Sequence, residues 1–405
     1  MPAPLHRPLR TLAAACALLA AGPVLAQSSP YYIGVAQSIT HDSNLYRIGG
    51  GRGLPVGAQS KSDTVSTTSL VAGVDQTWGR QRLSGNGSLQ ASRFASNDQL
   101  NNEGYGLALG LDWETVNRLS GRLGLNADRS LRSFDPAVLG GQRAERNIED
   151  NNLLSAVVRL GVVTRLTAEA TLSHRQVRFS NARYAASEYD QDTGSLGLRY
   201  RLGGATTVGL AWRQSKVDYQ SIDDPYKRRD IDFTATWVPS GLTTLNARIS
   251  HTSTDHARSA QRDFSGVTAE LRGSTQATGK IRLNARLSRD LGQSSSFIDL
   301  LPLNRDFSRT TTGLRLGADY ELSAKIALNA SIDHQRRSFT GAVDLFGQPI
   351  DGSDRTTRLA LGARWVPTRA IQVGCDLTHE TRSVQRVGNA YDASGFGCSG
   401  QFVFQ

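Results

Sequence analysis

Lys280-Ile281-Arg282-Leu283-Asn284-Ala285-Arg286-Leu287-Ser288 alternates residue by residue. Ile281, Leu283, Ala285 and Leu287 fall on one side of an extended chain, and Arg282, Asn284, Arg286 and Ser288 on the other, because successive strand side chains point to opposite faces. The same unit recurs along the chain, each copy followed by a break, and the breaks alternate between short and long. A long chain made only of such strands needs an apolar exterior and a polar interior. That pattern predicts an all-β fold: a single transmembrane antiparallel β-barrel.

Composition agrees. Only 39% of the 405 residues are hydrophobic, low for a soluble core of this size but sufficient for a barrel whose outer face alone is apolar. Residues 1–26 read as a secretory signal peptide: His6, Arg7 and Arg10 precede the apolar run 12–21, and Val24-Leu25-Ala26 supplies the small-residue cleavage site. Residues 27–405 then form the barrel. No later apolar run reaches the roughly 20 residues of a membrane helix. Without the two leader arginines, 44 basic residues face 36 acidic ones and leave a charge of +8. An exported chain has little use for nucleic acid, so lipopolysaccharide or an acidic polymer is the expected anionic counterpart.

Eight tight connections fall near Gly79-Arg80, Asn117, Thr164-Arg165, Gly203-Gly204, Ser240-Gly241, Thr278-Gly279, Ser323-Ala324 and Pro367-Thr368. The segments between them are longer and rich in Asn, Asp, Ser, Gly and Pro. One hairpin per tight connection, with one strand added at each end, predicts about 18 strands with short periplasmic turns and long extracellular loops. Trp78, Trp113, Tyr200, Trp237, Tyr320 and Trp365 precede the short turns and are expected to form the periplasmic aromatic girdle. The opposite ends of the ascending strands carry His41, His174, His251, His334 and His379, with Arg93, Arg129 and Arg289 at the same spot. Alternation places these on the lipid side. They form either a basic ring at the outer leaflet, facing lipopolysaccharide phosphates, or a simple polar end to the apolar band.

Catalytic signatures are missing from the sequence: there is no Gly-x-Ser-x-Gly, His-Glu-x-x-His, phosphate loop or Cys-x-x-Cys. Neither enzyme activity nor a cofactor or metal site is expected. Function is sought instead in the lumen, where alternation directs Arg122, Arg159, Arg199, Arg213, Arg248, Arg272, Arg282, Arg286, Arg315, Arg358 and Arg364 inward. Arginine forks suit carboxylate and phosphate, so they can select acidic cargo. Alternatively, they pair with inward acids such as Asp112, Glu169, Asp232, Glu270 and Asp333 and stiffen the wall. Residues 41–63, with Gly49-Gly50-Gly51, are the candidate constriction. Cys375 and Cys398 sit symmetrically about the last long loop, so they face each other across a hairpin as a disulfide or as two free thiols.

The terminal run Gly400-Gln401-Phe402-Val403-Phe404 resembles the aromatic assembly signal of outer-membrane proteins, displaced one residue from the end by Gln405. Tyr31-Tyr32-Ile33-Gly34-Val35-Ala36-Gln37, leading into His41-Asp42-Ser43-Asn44-Leu45-Tyr46-Arg47, resembles the opening of the EpsL-type outer-membrane proteins of exopolysaccharide operons, the beta-barrel porin 2 family. The resemblance implies a part in exporting a polysaccharide across the outer membrane, beside periplasmic and inner-membrane export proteins. It assigns no residue-level role. A general or sugar-selective diffusion porin and a structural or adhesive barrel with a plugged lumen are the two other expectations.

Overall fold

The computed structural model describes residues 29–404 apart from 117, 135–142, 162–163, 259, 261–262, 299–300, 344–348 and 386–389. The leader, residues 27–28, the turn residue Asn117 and Gln405 therefore lie outside the described residues. Eighteen strands follow in order: β1 (Tyr31–Asp42), β2 (Asp63–Trp78), β3 (Gln81–Phe94), β4 (Asn102–Glu114), β5 (Leu119–Leu131), β6 (Ile148–Leu160), β7 (Leu166–Phe179), β8 (Tyr189–Arg201) and β9 (Thr206–Tyr219). The second half comprises β10 (Tyr226–Ser240), β11 (Thr243–His256), β12 (Phe264–Gln276), β13 (Ile281–Ile298), β14 (Leu301–Glu321), β15 (Ile326–Val343), β16 (Pro349–Trp365), β17 (Ile371–Gln385) and β18 (Tyr391–Phe404). Each strand pairs with its neighbours in sequence, and β1 pairs with both β2 and β18. The sheet is closed. Closure removes the free edges that lipid cannot satisfy.

Alternation decides which side faces out. Leu172, Leu196 and Leu361 are 67%, 62% and 58% exposed on the outer face, an arrangement that is stable only against hydrocarbon. The buried apolar cluster is small and sits in the outer loops: Tyr46, Ile48, Phe94, Leu100 and Ala144. Tight turns join the strands at the girdle pole, where Gly79 adopts φ +60° between Trp78 and Gln81. At the same pole Trp113 lies opposite Gly121, and a Cβ on Gly121 would stand 2.5 Å from the indole. Glycine there lets the ring cover the neighbouring strand.

Long connections gather at the other pole. Residues 43–62 pack against 95–101, with Asn97 accepting from the Gln59 amide and donating to the Ser60 carbonyl. Tyr46 meets Phe134 edge-on at 4.5 Å. Residues 180–188 are tied to the 132–147 connection through Asn181, which donates to Glu145 at 3.0 Å, and through Arg132, which stacks over Phe179 and Tyr184 at 4.5 and 5.1 Å. Strands β13 to β16, at 17 to 21 residues, rise above the rest.

Candidate functional site in the lumen

All eleven arginines assigned inward by alternation project to the lumen side of their strands, and nine of them form ion pairs with lumen acids. The arrangement is asymmetric in depth. Glu270 lies 2.5 Å from Arg272 and 2.6 Å from Arg286, and Glu169 lies 2.7 Å from Arg159 and 2.8 Å from Arg199. Both glutamates are 17% exposed, whereas Arg272, Arg286 and Arg199 are about half exposed. Asp232 is likewise covered by Arg213 and Arg248, and Asp354 by Arg337 and Arg382. Two arginines thus overlie one carboxylate at four places; at Glu270, Glu169 and Asp354 one positive charge is left over, whereas Arg213 also reaches Asp230 at 3.3 Å and joins a network of three arginines and three aspartates. Arg122 pairs with Asp112 at 3.1 Å, and Arg315 with Asp333 at 3.3 Å. Arg358 stands 3.9 Å from Glu380, and Arg282 donates to Gln276. Arg364 is exposed on β16.

Strand register concentrates the charge. Arg272 is the direct partner of Arg286, and Arg286 of Arg315, so three arginines occupy one row across β12, β13 and β14. Like charges directly opposite repel and destabilise a sheet, which explains why Glu270 is wedged beneath the first two. The row borders a recess of about 490 Å³ that also presents Asn246, Asn284, Asn329, Ser274 and Ser331. Guanidinium groups suit a carboxylate, and amides with hydroxyls suit the hydroxyls beside it. Sequence reading placed the arginines on this side. It missed the asparagines, and pairing across strands was needed to show which arginines meet.

The outer end of the lumen is built differently. Arg228 binds Asp230 at 3.0 Å and reaches past two strands to Asp290 on β13 at 3.1 Å. Asp230, Thr252, Thr254 and Thr268 are buried beside it. The 3-10 helix Ala182–Ser187 leaves β7 and also reaches β13. The inward-reaching segment therefore includes 180–188 and is not confined to the expected 41–63. Within 41–63 the chain is clamped rather than loose. Asp42 accepts from Arg47 at 2.8 Å, and Asn44 donates to the carbonyls of Ile48 and Asp392 at 2.8 and 2.9 Å. Arg47 also approaches the lumen-facing Glu380 at 3.7 Å. Tyr46 is fully buried, and burial raises its phenol above the usual tyrosine range, keeping it neutral. The segment His41 to Arg47 is thus a staple between the first loop and the last hairpin.

The remaining sequence-derived positions lie on the outer face. Trp78, Tyr200, Trp237, Tyr320 and Trp365 are exposed there, with Trp113 partly covered, all beside the short turns. Phe402 and Phe404 face lipid edge-on at 4.6 Å. Cys375 and Cys398 are direct cross-strand partners and are joined, with an S–S distance of 2.12 Å. At the far boundary His41, His334 and His379 hydrogen-bond Thr64, Thr357 and Ser394 on the next strand. Arg93 pairs with Glu103, Arg129 with Asp150, and His174 with Asp192. His251 faces out on β11, and Arg289 on β13. Three of the eight ring positions thus have an acidic partner on the next strand. Among the described residues no group of three His, Cys, Asp or Glu could hold a metal ion.

No protein-family model matches the chain, and no curated protein matches it in sequence. Solved structures do resemble it in fold. OccAB4 of Acinetobacter baumannii, 10% identical, aligns over 93% of this chain and 99% of that one with a TM-score of 0.52. OccK2 (OpdF) of Pseudomonas aeruginosa, 13% identical, aligns over 92% and 98% with a TM-score of 0.51. Closed by 18 antiparallel strands and apolar on its outside, the chain folds as a β-barrel of the bacterial outer membrane.

Proposed function

We propose that the protein is a selective diffusion porin for small acidic solutes, of the class of hydroxylated carboxylates. The observation that carries this reading is the lumen row Arg272–Arg286–Arg315, with its glutamate below and its asparagines beside it. An 18-stranded barrel is wide enough for an aqueous path. A path whose solvent layer is guanidinium concentrates anions and repels cations. The likeness of fold to OccAB4 and OccK2 supports a porin over an export device for a polymer.

Uptake into proteoliposomes of a hexuronate and its neutral hexose tests the proposal. The hexuronate is expected to enter faster, and the advantage to disappear in an R272Q/R286Q/R315Q variant. Equal uptake of the two sugars by the unaltered protein overturns it, and absence of any conductance in planar bilayers points to a plugged barrel. A second reading, exopolysaccharide export, rests on the resemblance of residues 31–47 to the EpsL-type opening. Deletion of the gene tests that reading, since unchanged polymer secretion rules it out.

A further inference from the structure

The lipid-facing boundary is not uniform around the barrel. Over β3 to β11 its cations are matched by acids on the same face: Arg93 with Glu103, Arg129 with Asp150, Arg178 with Asp190, Lys216 with Asp218, and Arg229 with Asp255. Over β13 to β16 they are not. Arg289 is the direct partner of Thr312, Thr312 of Arg336, and Arg336 of Arg355. Three arginines thus share one register row across four strands, two of them face to face. All three are exposed, and among the described side chains of β12 to β17 no carboxylate lies on the outer face. Two arginines directly opposite each other destabilise a sheet unless an anion sits between them. On β3 to β11 the chain supplies that anion. Here it does not.

The surface below the row has the complementary shape. Four to six residues toward the girdle on the same strands, Ala285, Leu316, Ala318, Ala330, Ile332 and Leu361 line an outward-facing apolar depression of about 840 Å³. Ala285, Ala318 and Ala330 leave room between the larger Leu283, Leu316, Ile332 and Leu361. Cations above and a greasy trough beneath match the two ends of a phosphorylated lipid.

We propose that the β13–β16 flank binds a phosphorylated glycolipid of the outer leaflet, with Arg289, Arg336 and Arg355 holding its headgroup phosphate and the depression below holding an acyl chain. The row of like charges disfavours the other natural occupant, the same flank of a second copy, since self-contact would bring six arginines together. The lumen plays no part in this site, so its failure and that of the porin reading are separable.

Native mass spectrometry of the detergent-solubilised barrel with added lipid A tests the proposal. The unaltered protein is expected to retain bound bisphosphorylated lipid A. Retention should fall about tenfold or more in R289Q/R336Q/R355Q, because each lost phosphate contact is a charge-assisted one, while R93Q/R129Q on the neutralised side behaves as the unaltered protein. Heat-dependent gel mobility verifies that each variant has folded. Should the triple variant not fold, the unaltered protein is compared with lipid A and with its dephosphorylated form, and only the phosphorylated form is expected to bind. Equal binding of both forms, equal retention by the triple variant, or a dimer or trimer in place of a lipid adduct overturns the assignment.

Discussion

Replacing Arg286 with glutamine should reduce anion selectivity by an amount that the structure allows to be estimated. The side chain sits in the middle of the row, with Arg272 and Arg315 directly opposite on either side. Glu270 keeps its second partner Arg272 at 2.5 Å, so removing Arg286 strands no acid. The lost ion pair is half exposed and is worth no more than about 1 kcal/mol, so the barrel stays folded. A monovalent anion passing about 6 Å from the guanidinium gains roughly 0.7 kcal/mol in a water-like medium. Screening at 0.1 M salt, where the Debye length is about 10 Å, leaves roughly 0.4 kcal/mol. Losing the charge lowers anion occupancy and raises cation occupancy by similar factors. The permeability ratio should therefore fall about fourfold at 0.1 M, and by only about 1.4-fold at 1 M, where the Debye length is about 3 Å. Reversal potentials across planar bilayers under a potassium chloride gradient measure it at both concentrations. An unchanged ratio at 0.1 M, or an equal fall in Arg93→Gln on the outer face, refutes the reasoning.

Two further outcomes follow from the packing. Removing both cysteines opens a loop spanning 23 residues, which relaxes the unfolded chain by at most about 3.5 kcal/mol; Cys375→Ser/Cys398→Ser should lower the temperature of the folded-to-unfolded gel shift, and an unchanged temperature would show that hairpin pairing already holds the two strands. Tyr46→Ala empties a fully buried site beside Phe134 at a cost of about 3 kcal/mol or more; protease should then cut within 43–62 while the strands stay intact, and a loop as resistant as before would refute its role as a staple.

How much was legible before folding depends on how local each feature is. Strand number, turn positions and the sidedness of Trp78, Arg286 or His174 depend on alternation and punctuation within a few dozen residues, so they were readable. The lumen row was only half readable. That Arg272, Arg286 and Arg315 point inward follows from parity, whereas their meeting in one row depends on the register of β12, β13 and β14. The 180–188 segment illustrates the other limit. Ala182–Ser187 is a short run, and its reach to β13 is a contact between a loop helix and a strand distant in sequence that no local pattern encodes. The pairing of His174 with Asp192, and of Arg129 with Asp150, likewise altered the meaning of a ring that looked wholly basic along the chain.

The sequence by itself determined an 18-stranded sheet with an oily side, its direction in the membrane and the inward set of arginines, because a period of two is a property of consecutive residues. Only the tertiary structure decided where charges accumulate. Closing the sheet sets the register, and register determines whether an arginine faces a carboxylate, as Arg159 faces Glu169, or another arginine, as Arg336 faces Arg355. Net positive charge at a point is a property of neighbours across strands, and those neighbours do not exist until the barrel closes.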